Sequence, residues 1–358
     1  MAPNYAMPSY SSTDEAGVGI RVFGRDPIGI LSWNVAAHVG LESQMPNASA
    51  NITYRDLPVD LSLSTFSYPD ELLEANLDQN NSLIFDSVWK QEWDIGLTAF
   101  QRIHLDQGKW RTTALPFVGL TQRFRHRQTT LEGGLESNGY LGVRAGGTLI
   151  RSYSALRDPV PSRLELVRLT MERGFPGMDL EGDLIEINLR KHVPGPLTNT
   201  VVALKGAVQT QNGDLSFSRA GVRPRGYADD DLSTELRRNG RILFGGTELH
   251  FPLWYADHGL PGLGYLYLER VSGSLFAEGS TGWGGGVSLA DWTNDYGVAS
   301  LGGVLSMRGW LFFQADTRVD VGAAWRSEFD DVAIFVRLSF PELLDFIGDS
   351  PDWEQLVD

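Results

Sequence analysis

The chain has 358 residues, 40 of them Gly and none of them Cys, and its formal net charge is −15. The lack of cysteine excludes a disulfide scaffold, a thiolate metal site and a cysteine nucleophile. Because carboxylates outnumber lysines and arginines by 45 to 30, the charge balance argues against nucleic-acid binding, which requires clustered cations.

Alternation between apolar and polar residues is the main signal, and it begins near the N-terminus. Between Leu31 and Glu42 the odd positions are apolar, while most even positions are polar or small. Successive side chains of an extended strand point to opposite faces, so this segment predicts a strand with one apolar face. The same pattern recurs at 93–99, 141–149, 185–189, 202–208, 319–325 and 334–340.

Strand length separates the two all-β architectures that such alternation allows, a soluble sandwich and a membrane barrel. Strands of soluble proteins average about 5–6 residues, whereas a strand that crosses a bilayer at a tilt needs about 9–11. Many of the alternating segments, 28–42 and 138–153 among them, are of the longer kind. The pattern therefore favours an antiparallel transmembrane β-barrel. Its apolar belt is expected to include Trp33, Leu97, Val143, Ile187, Val321 and Val336, and its inner face Asn34, Arg144 and Asp320.

The number of strands follows from the lengths of the connections between them. The predicted strands are 17–25, 28–42, 48–56, 58–67, 89–104, 111–127, 138–153, 163–174, 181–193, 200–212, 241–253, 263–279, 297–310, 312–326 and 331–340. Every second connection is potentially long, as in 68–88, 213–240 and 280–296. Outer-membrane barrels have short periplasmic turns and long outer loops, so these connections are predicted to face outward. Since such barrels normally have an even strand number, residues 4–12 are expected to add a first strand and give sixteen. Fourteen is the alternative if 48–67 is one strand.

Three regions are predicted. Residues 1–16 are an N-terminal segment that supplies the first strand, 17–340 are the barrel, and 341–358 are an acidic C-terminal tail with six acidic and no basic residues. The tail is expected to be either a frayed terminus or a periplasmic segment that plugs the barrel or docks on a partner. The N-terminus has no basic start followed by an apolar core, so no signal peptide is recognised. We therefore expect a mature or truncated form, or the C-terminal part of a larger protein.

The longest predicted loop, 213–240, contains a short motif that combines with the two strands after it. The loop carries Arg223-Pro224-Arg225-Gly226-Tyr227. The next strand reads Gly245-Gly246-Thr247-Glu248-Leu249-His250-Phe251-Pro252-Leu253, and the one after it ends Phe276-Ala277-Glu278-Gly279. This combination resembles the C-terminal half of the BamA/TamA-type bacterial surface antigen superfamily, whose barrels have sixteen strands. The segment 24–29 also resembles the start of barrels appended to TolB-like β-propellers.

The resemblance implies that loop 213–240 folds back into the lumen, where its arginine meets acidic groups of the barrel wall. The residues carried over, here called the latch residues, are Arg225, Gly226, Tyr227, Glu248, Phe276 and Glu278. Alternation along both strands points the two glutamates inward. A guanidinium can bind two carboxylates at once, which a lysine does less well. Glu278 stands where the family usually has Asp, which lengthens the reach by one methylene.

The resemblance also implies a function without catalysis. It points to the outer membrane of a Gram-negative bacterium and to a barrel that anchors, inserts or translocates polypeptide. The partners would be the lipid bilayer and either a polypeptide substrate or a fused N-terminal domain. The alternative is a passive pore, or a barrel enzyme such as a lipase or protease that uses His38 or His250 on the inner face. Neither a Gly-x-Ser-x-Gly nor a His-Glu-x-x-His motif occurs, and no cofactor or metal is predicted.

Overall fold

The structure is a computed structural model. It describes residues 5–11, 17–40, 46–77, 83–106, 108–128, 135–153, 160–213, 222–227, 241–259, 266–283, 297–311 and 315–339. The acidic tail, 341–358, lies outside the described residues. No helix in these ranges has both the length and the apolar character needed to span a bilayer.

Sixteen long strands lie in the described ranges. They are β1 Tyr5–Ser11, β2 Gly17–Arg25, β3 Leu31–Gly40, β4 Pro46–Tyr54, β5 Asp60–Leu77, β6 Leu83–Phe100, β7 Arg111–Gln128, β8 Leu135–Tyr153, β9 Arg163–Gly174, β10 Gly182–Pro194, β11 Val201–Gly213, β12 Arg241–Trp254, β13 Leu266–Trp283, β14 Gly297–Leu311, β15 Ala315–Arg326 and β16 Asp331–Ser339. Two-residue segments at Ile103–His104 and His258–Gly259 pair with β7 and β13.

Each long strand is antiparallel to the next one along the chain, so β1 to β16 form a single sheet. The predicted count of sixteen strands is confirmed. The alternative of fourteen is wrong, because β4 ends at Tyr54, the chain turns at 55–59, and β5 returns antiparallel to β4.

One predicted outer loop is much shorter than the sequence suggests. β5 and β6 pair without interruption from Asp60 opposite Phe100 to Leu77 opposite Leu83, so most of 68–88 is a hairpin and not a loop. A strand of 18 residues is about 60 Å long, more than a tilted strand needs to cross a hydrocarbon layer of about 30 Å. The outer part of this hairpin therefore lies beyond the lipid, where the sequence is not required to alternate.

The sheet exposes apolar side chains on one face and buries polar side chains on the other, which is the reverse of the arrangement in soluble proteins. Of the predicted belt residues, Leu97, Ile187, Val321 and Val336 are 38–69% exposed, while Trp33 and Val143 are half-buried. Charged and polar side chains are buried on the other face, among them Asp94, Arg168, Glu172, Glu248, Glu278 and Asp320. An apolar exterior around a polar interior is the arrangement of a transmembrane barrel, with lipid outside and a lumen inside.

Neighbouring positions on β15 test this assignment of the faces. A spin label at Val321 is expected to collide readily with oxygen and poorly with a polar nickel reagent, because that side chain faces lipid. A label at Asp320 is expected to show the opposite preference, because that side chain is buried on the polar face. Electron paramagnetic resonance on the protein in lipid vesicles measures both accessibilities. Reversed preferences at the two positions would contradict the membrane-facing assignment.

Glycines make room for aromatic rings that are buried on the inner wall. Gly302 on β14 is opposite Phe276 on β13, and a Cβ at position 302 would lie 2.6 Å from Cζ of that ring. Gly146 on β8 is opposite Phe117 on β7, and a Cβ there would lie 2.8 Å from Cζ of Phe117. A glycine in a strand often marks such a close approach. Phe276 is thereby held against the wall, where it forms part of the site described next.

Candidate functional site: a loop held inside the barrel

Three adjacent strands build the wall of the site. In the register of β11, β12 and β13, Lys205 is opposite Gly246 and Gly246 is opposite Glu278, while Glu248 is opposite Phe276. Side chains on one face of paired strands lie close enough to interact directly or diagonally. The side chains of Glu248 and Glu278 are 5% and 2% exposed. The wall thus presents two buried carboxylates that require positive partners.

The described part of loop 213–240, Val222–Tyr227, lies against this wall. Val222 is 1% exposed and packs in one apolar cluster with Ala207, Ile242 and Phe244. Its carbonyl oxygen accepts a hydrogen bond from the hydroxyl of Ser280. All four wall residues lie on the buried face of their strands, so these contacts place the start of this segment inside the lumen.

A tight turn at Gly226 aims the side chains on either side of it. Gly226 has φ 89°, a left-handed conformation that costs glycine little, and its Cβ, if present, would lie 2.9 Å from Cβ of Ala324. The hydroxyl of Tyr227 donates to the carbonyl oxygen of Ala299 on β14 at 3.1 Å. Nη1 of Arg326 donates to the carbonyl oxygen of Gly226 at 3.4 Å. The turn is therefore fixed to β14 and β15.

Arg225 joins the loop to both glutamates. Its Nη1 and Nη2 donate to Oε1 and Oε2 of Glu248 at 3.1 and 2.8 Å. Its Nε donates to Oε1 of Glu278 at 2.9 Å, and its backbone N–H donates to Oε2 of Glu278 at 3.0 Å. Cζ lies 3.7 Å from the centre of the Phe276 ring, a cation–π contact. The guanidinium is thus bidentate to one carboxylate, bonded to the second and stacked on a ring, a combination of high geometric specificity.

The two neighbouring carboxylates stabilise the positive charge of Arg225. Burial alone would lower the pKa of the guanidinium, but the carboxylates of Glu248 and Glu278 outweigh it and raise the pKa above its usual value. The side chain is 21% exposed, so lumen water reaches it in part. Because an arginine is charged at every physiological pH, contact between loop and wall does not depend on protonation of the loop residue.

The latch residues predicted from the sequence occupy one region of the lumen. Arg225 contacts Glu248, Phe276 and Glu278 directly, and Gly226 forms the turn. The hydroxyl of Tyr227 is bonded to Ala299, and its ring lies 6.1 Å from that of Phe329. Of the two histidines considered for an enzyme, His250 lies beside the site, with Nε2 3.7 Å from Oε2 of Glu248. His38 is buried on β3.

Lys205 is a site residue that the sequence did not predict. Its Nζ lies 3.1 Å from Oε2 of Glu248 and 3.4 Å from Oε1 of Glu278. Alternation already put this lysine on the polar face of the predicted strand 200–212. Its position beside the glutamates depends on the register between β11 and β12, which a single sequence does not reveal.

A second buried ionic network lies elsewhere on the inner wall and was also not predicted. Nε of Arg123 on β7 lies 2.9 Å from Oδ2 of Asp94 on β6. Its Nη2 lies 3.2 Å from Oε1 of Glu172 on β9, and its Cζ lies 5.7 Å from the ring centre of Tyr140 on β8. One arginine thereby links four neighbouring strands. These contacts tie neighbouring strands of the wall to one another, whereas the contacts of Arg225 tie a loop to the wall.

The sheet has sixteen antiparallel strands, an apolar outer face, a polar inner face and a loop segment bound inside. These features define a class of protein, the outer-membrane type of β-barrel. No family model matches the sequence, and no curated protein matches it. Solved structures match the fold. The structure of BamA from Haemophilus ducreyi lacking POTRA domains 1–3 aligns over 94% of this chain and 69% of its own, with TM-score 0.58 and 13% identity.

A second solved structure gives a similar result. CdiB from Acinetobacter baumannii aligns over 94% of this chain and 58% of its own, with TM-score 0.55 and 13% identity. This chain therefore spans a little over half the length of CdiB. Identities this low show likeness of fold alone. The predicted resemblance to the 16-stranded BamA-type barrel is confirmed at that level.

Proposed function

We propose that this chain is the barrel of a surface-antigen-type protein of the Gram-negative outer membrane that anchors, inserts or translocates polypeptide. The observation that carries the proposal is the contact of Arg225 with Glu248 and Glu278 inside the lumen. That contact holds a loop in the space that a passive pore keeps open. No residue of the site is assigned a catalytic role.

Three separate anchors support a loop that is bound and released as a unit. Val222 packs in an apolar cluster, Arg225 binds two carboxylates, and Tyr227 is hydrogen-bonded to β14. Each contact is non-covalent and lies on a different part of the wall. A polypeptide that enters the lumen must displace these contacts, so passage would be coupled to a change in loop position.

The proposed partners follow from the two surfaces of the barrel. The apolar belt contacts the lipid bilayer, and the lumen receives a polypeptide, either a separate client or an N-terminal domain of the same protein. The acidic tail, 341–358, remains a predicted docking segment for a periplasmic partner. The N-terminal segment 1–16 and the barrel 17–340 are proposed as regions of one membrane-inserted unit.

Purified protein in lipid tests the proposal against its alternatives. In planar bilayers we expect low conductance that rises in Arg225→Ala and changes little in Arg223→Ala, a matched substitution in the same loop. In proteoliposomes we expect an unfolded outer-membrane barrel to reach its heat-modifiable folded form faster than in protein-free liposomes. Steady conductance without an effect on the client would support a passive pore and contradict the proposal. Cleavage of an ester or peptide substrate by the pure protein would support an enzyme.

A further inference from the structure

Two cations share the same carboxylate oxygens at the latch residues. Nη2 of Arg225 lies 2.8 Å from Oε2 of Glu248 and 2.8 Å from Oε1 of Glu278. Nζ of Lys205 lies 3.1 and 3.4 Å from these same two atoms. Lys205 belongs to strand β11 and stays with the wall, whereas Arg225 belongs to the loop. The shared oxygens therefore have one cation, Lys205, that belongs to the wall, and a second, Arg225, that would leave if the loop moved away.

We propose that Lys205 is an exchange cation that takes over both glutamates when Arg225 leaves, and so favours release of the loop. The inference rests on the proposed function, because it concerns the same loop. Two buried carboxylates this close cannot both stay charged without a positive partner. After Arg225 departs, Lys205 is already within contact distance of both. Lys205 thereby lowers the free energy of the state in which the loop has left the wall.

Lys205 contributes less when the loop is in place. Both cations then crowd the same two oxygens, so repulsion between them offsets part of the attraction of each for the glutamates. The chemistry of the side chains fits this division. The rigid guanidinium fork recognises both carboxylates, while a compact ammonium on a flexible stem can follow either one. Lys205 is 18% exposed, so lumen water can help it move.

If Lys205 stabilised the seated loop instead, removing it would change the rate of loop release in the opposite direction. If the lysine mainly strengthened the seated loop, its removal would make the loop leave more often. If it is an exchange cation, its removal strands both glutamates in the released state and holds the loop in place. The direction of the change in loop release therefore decides between the two roles.

A single thiol inside the lumen can measure loop release. The chain has no cysteine, and Val222 is 1% exposed, so Val222→Cys provides one thiol that is shielded while the loop is seated. Its labelling rate by a small thiol reagent, on the full chain in lipid vesicles, reports release. We expect Lys205→Met to slow labelling about two- to fivefold, the range of a partly solvated ion pair. Lys205→Arg keeps the positive charge, so it should slow labelling less than Lys205→Met does.

Matched controls separate this effect from charge and folding. Lys191→Met removes the same charge from the exposed side of β10, where the side chain is 60% exposed, and should leave the rate unchanged. Heat-modifiable migration shows whether each variant forms the barrel, and Lys205→Gln replaces Lys205→Met if the latter does not. Faster labelling, or an unchanged rate, in the folded Lys205 variants would overturn the proposal.

The Arg225→Ala background separates failure of this inference from failure of the proposed function. Without the competing guanidinium, Lys205→Met should no longer slow labelling. If Arg225→Ala itself leaves labelling unchanged, the latch does not hold the loop and the proposed function loses its support. If Arg225→Ala accelerates labelling but Lys205→Met does not slow it, only the exchange role is wrong.

Discussion

Replacing Arg225 with alanine is expected to raise the labelling rate of a Val222→Cys probe at least about tenfold, which corresponds to about 1.4 kcal/mol. The substitution removes the three hydrogen bonds that the guanidinium of Arg225 donates to the two glutamates, and it leaves their buried charges beside Lys205. Breaking a buried ion pair costs about 3–5 kcal/mol in a dry site. Since the arginine is 21% exposed, lumen water reduces that cost.

Charge reversal provides the complementary test. Arg225→Glu combined with Glu278→Arg should label more slowly than either single variant, because the reversed pair restores one of the two ion pairs. Arg223→Ala, a substitution two residues away in the same loop, should change the rate less than Arg225→Ala. Equal rates in Arg225→Ala and in the parent would mean that Val222 and Tyr227 hold the loop without the arginine.

Gly302→Ala is expected to destabilise the barrel by about 1–3 kcal/mol, the usual range for overpacking. A Cβ at this position would overlap the carbonyl oxygen of Ala323 and lie 2.6 Å from Cζ of Phe276. The first is backbone of the paired strand β15 and cannot move without weakening the sheet. Movement of the Phe276 ring would remove the surface on which Arg225 stacks. Urea unfolding in vesicles, followed by heat-modifiable migration, measures the loss.

Gly245→Ala is the matched control for this loss. A Cβ at position 245 meets nothing within 4 Å, so the same chemical change on β12 should leave stability nearly unchanged. Val222→Cys labelling should also be faster in Gly302→Ala than in Gly245→Ala, because Phe276 is displaced only in the former. Equal stabilities of the two variants would show that the wall relaxes around a methyl group at 302 without cost.

The sequence by itself determined the architecture, because each residue of a membrane-spanning strand must suit either lipid or the lumen. A strand between lipid and lumen must alternate, so alternation located β2, β9, β12 and β16 to within one residue of their observed ends. The alternating length of the connections gave the number of strands. Alternation did not predict the strands in the part of the β5–β6 hairpin that extends beyond the lipid, because the sequence there is free of that constraint.

For the site, the sequence supplied the residues of one loop and two strands. The motif around Arg225 and its resemblance to a known family pointed to Glu248 and Glu278, and alternation directed both glutamates inward. Only the tertiary structure decided which other groups they meet. Lys205 reaches the same oxygens because of the register between β11 and β12, and Gly302 makes room for Phe276 because of the register between β13 and β14. Register is a relation between strands distant in sequence, and it fixes contacts that no single segment encodes.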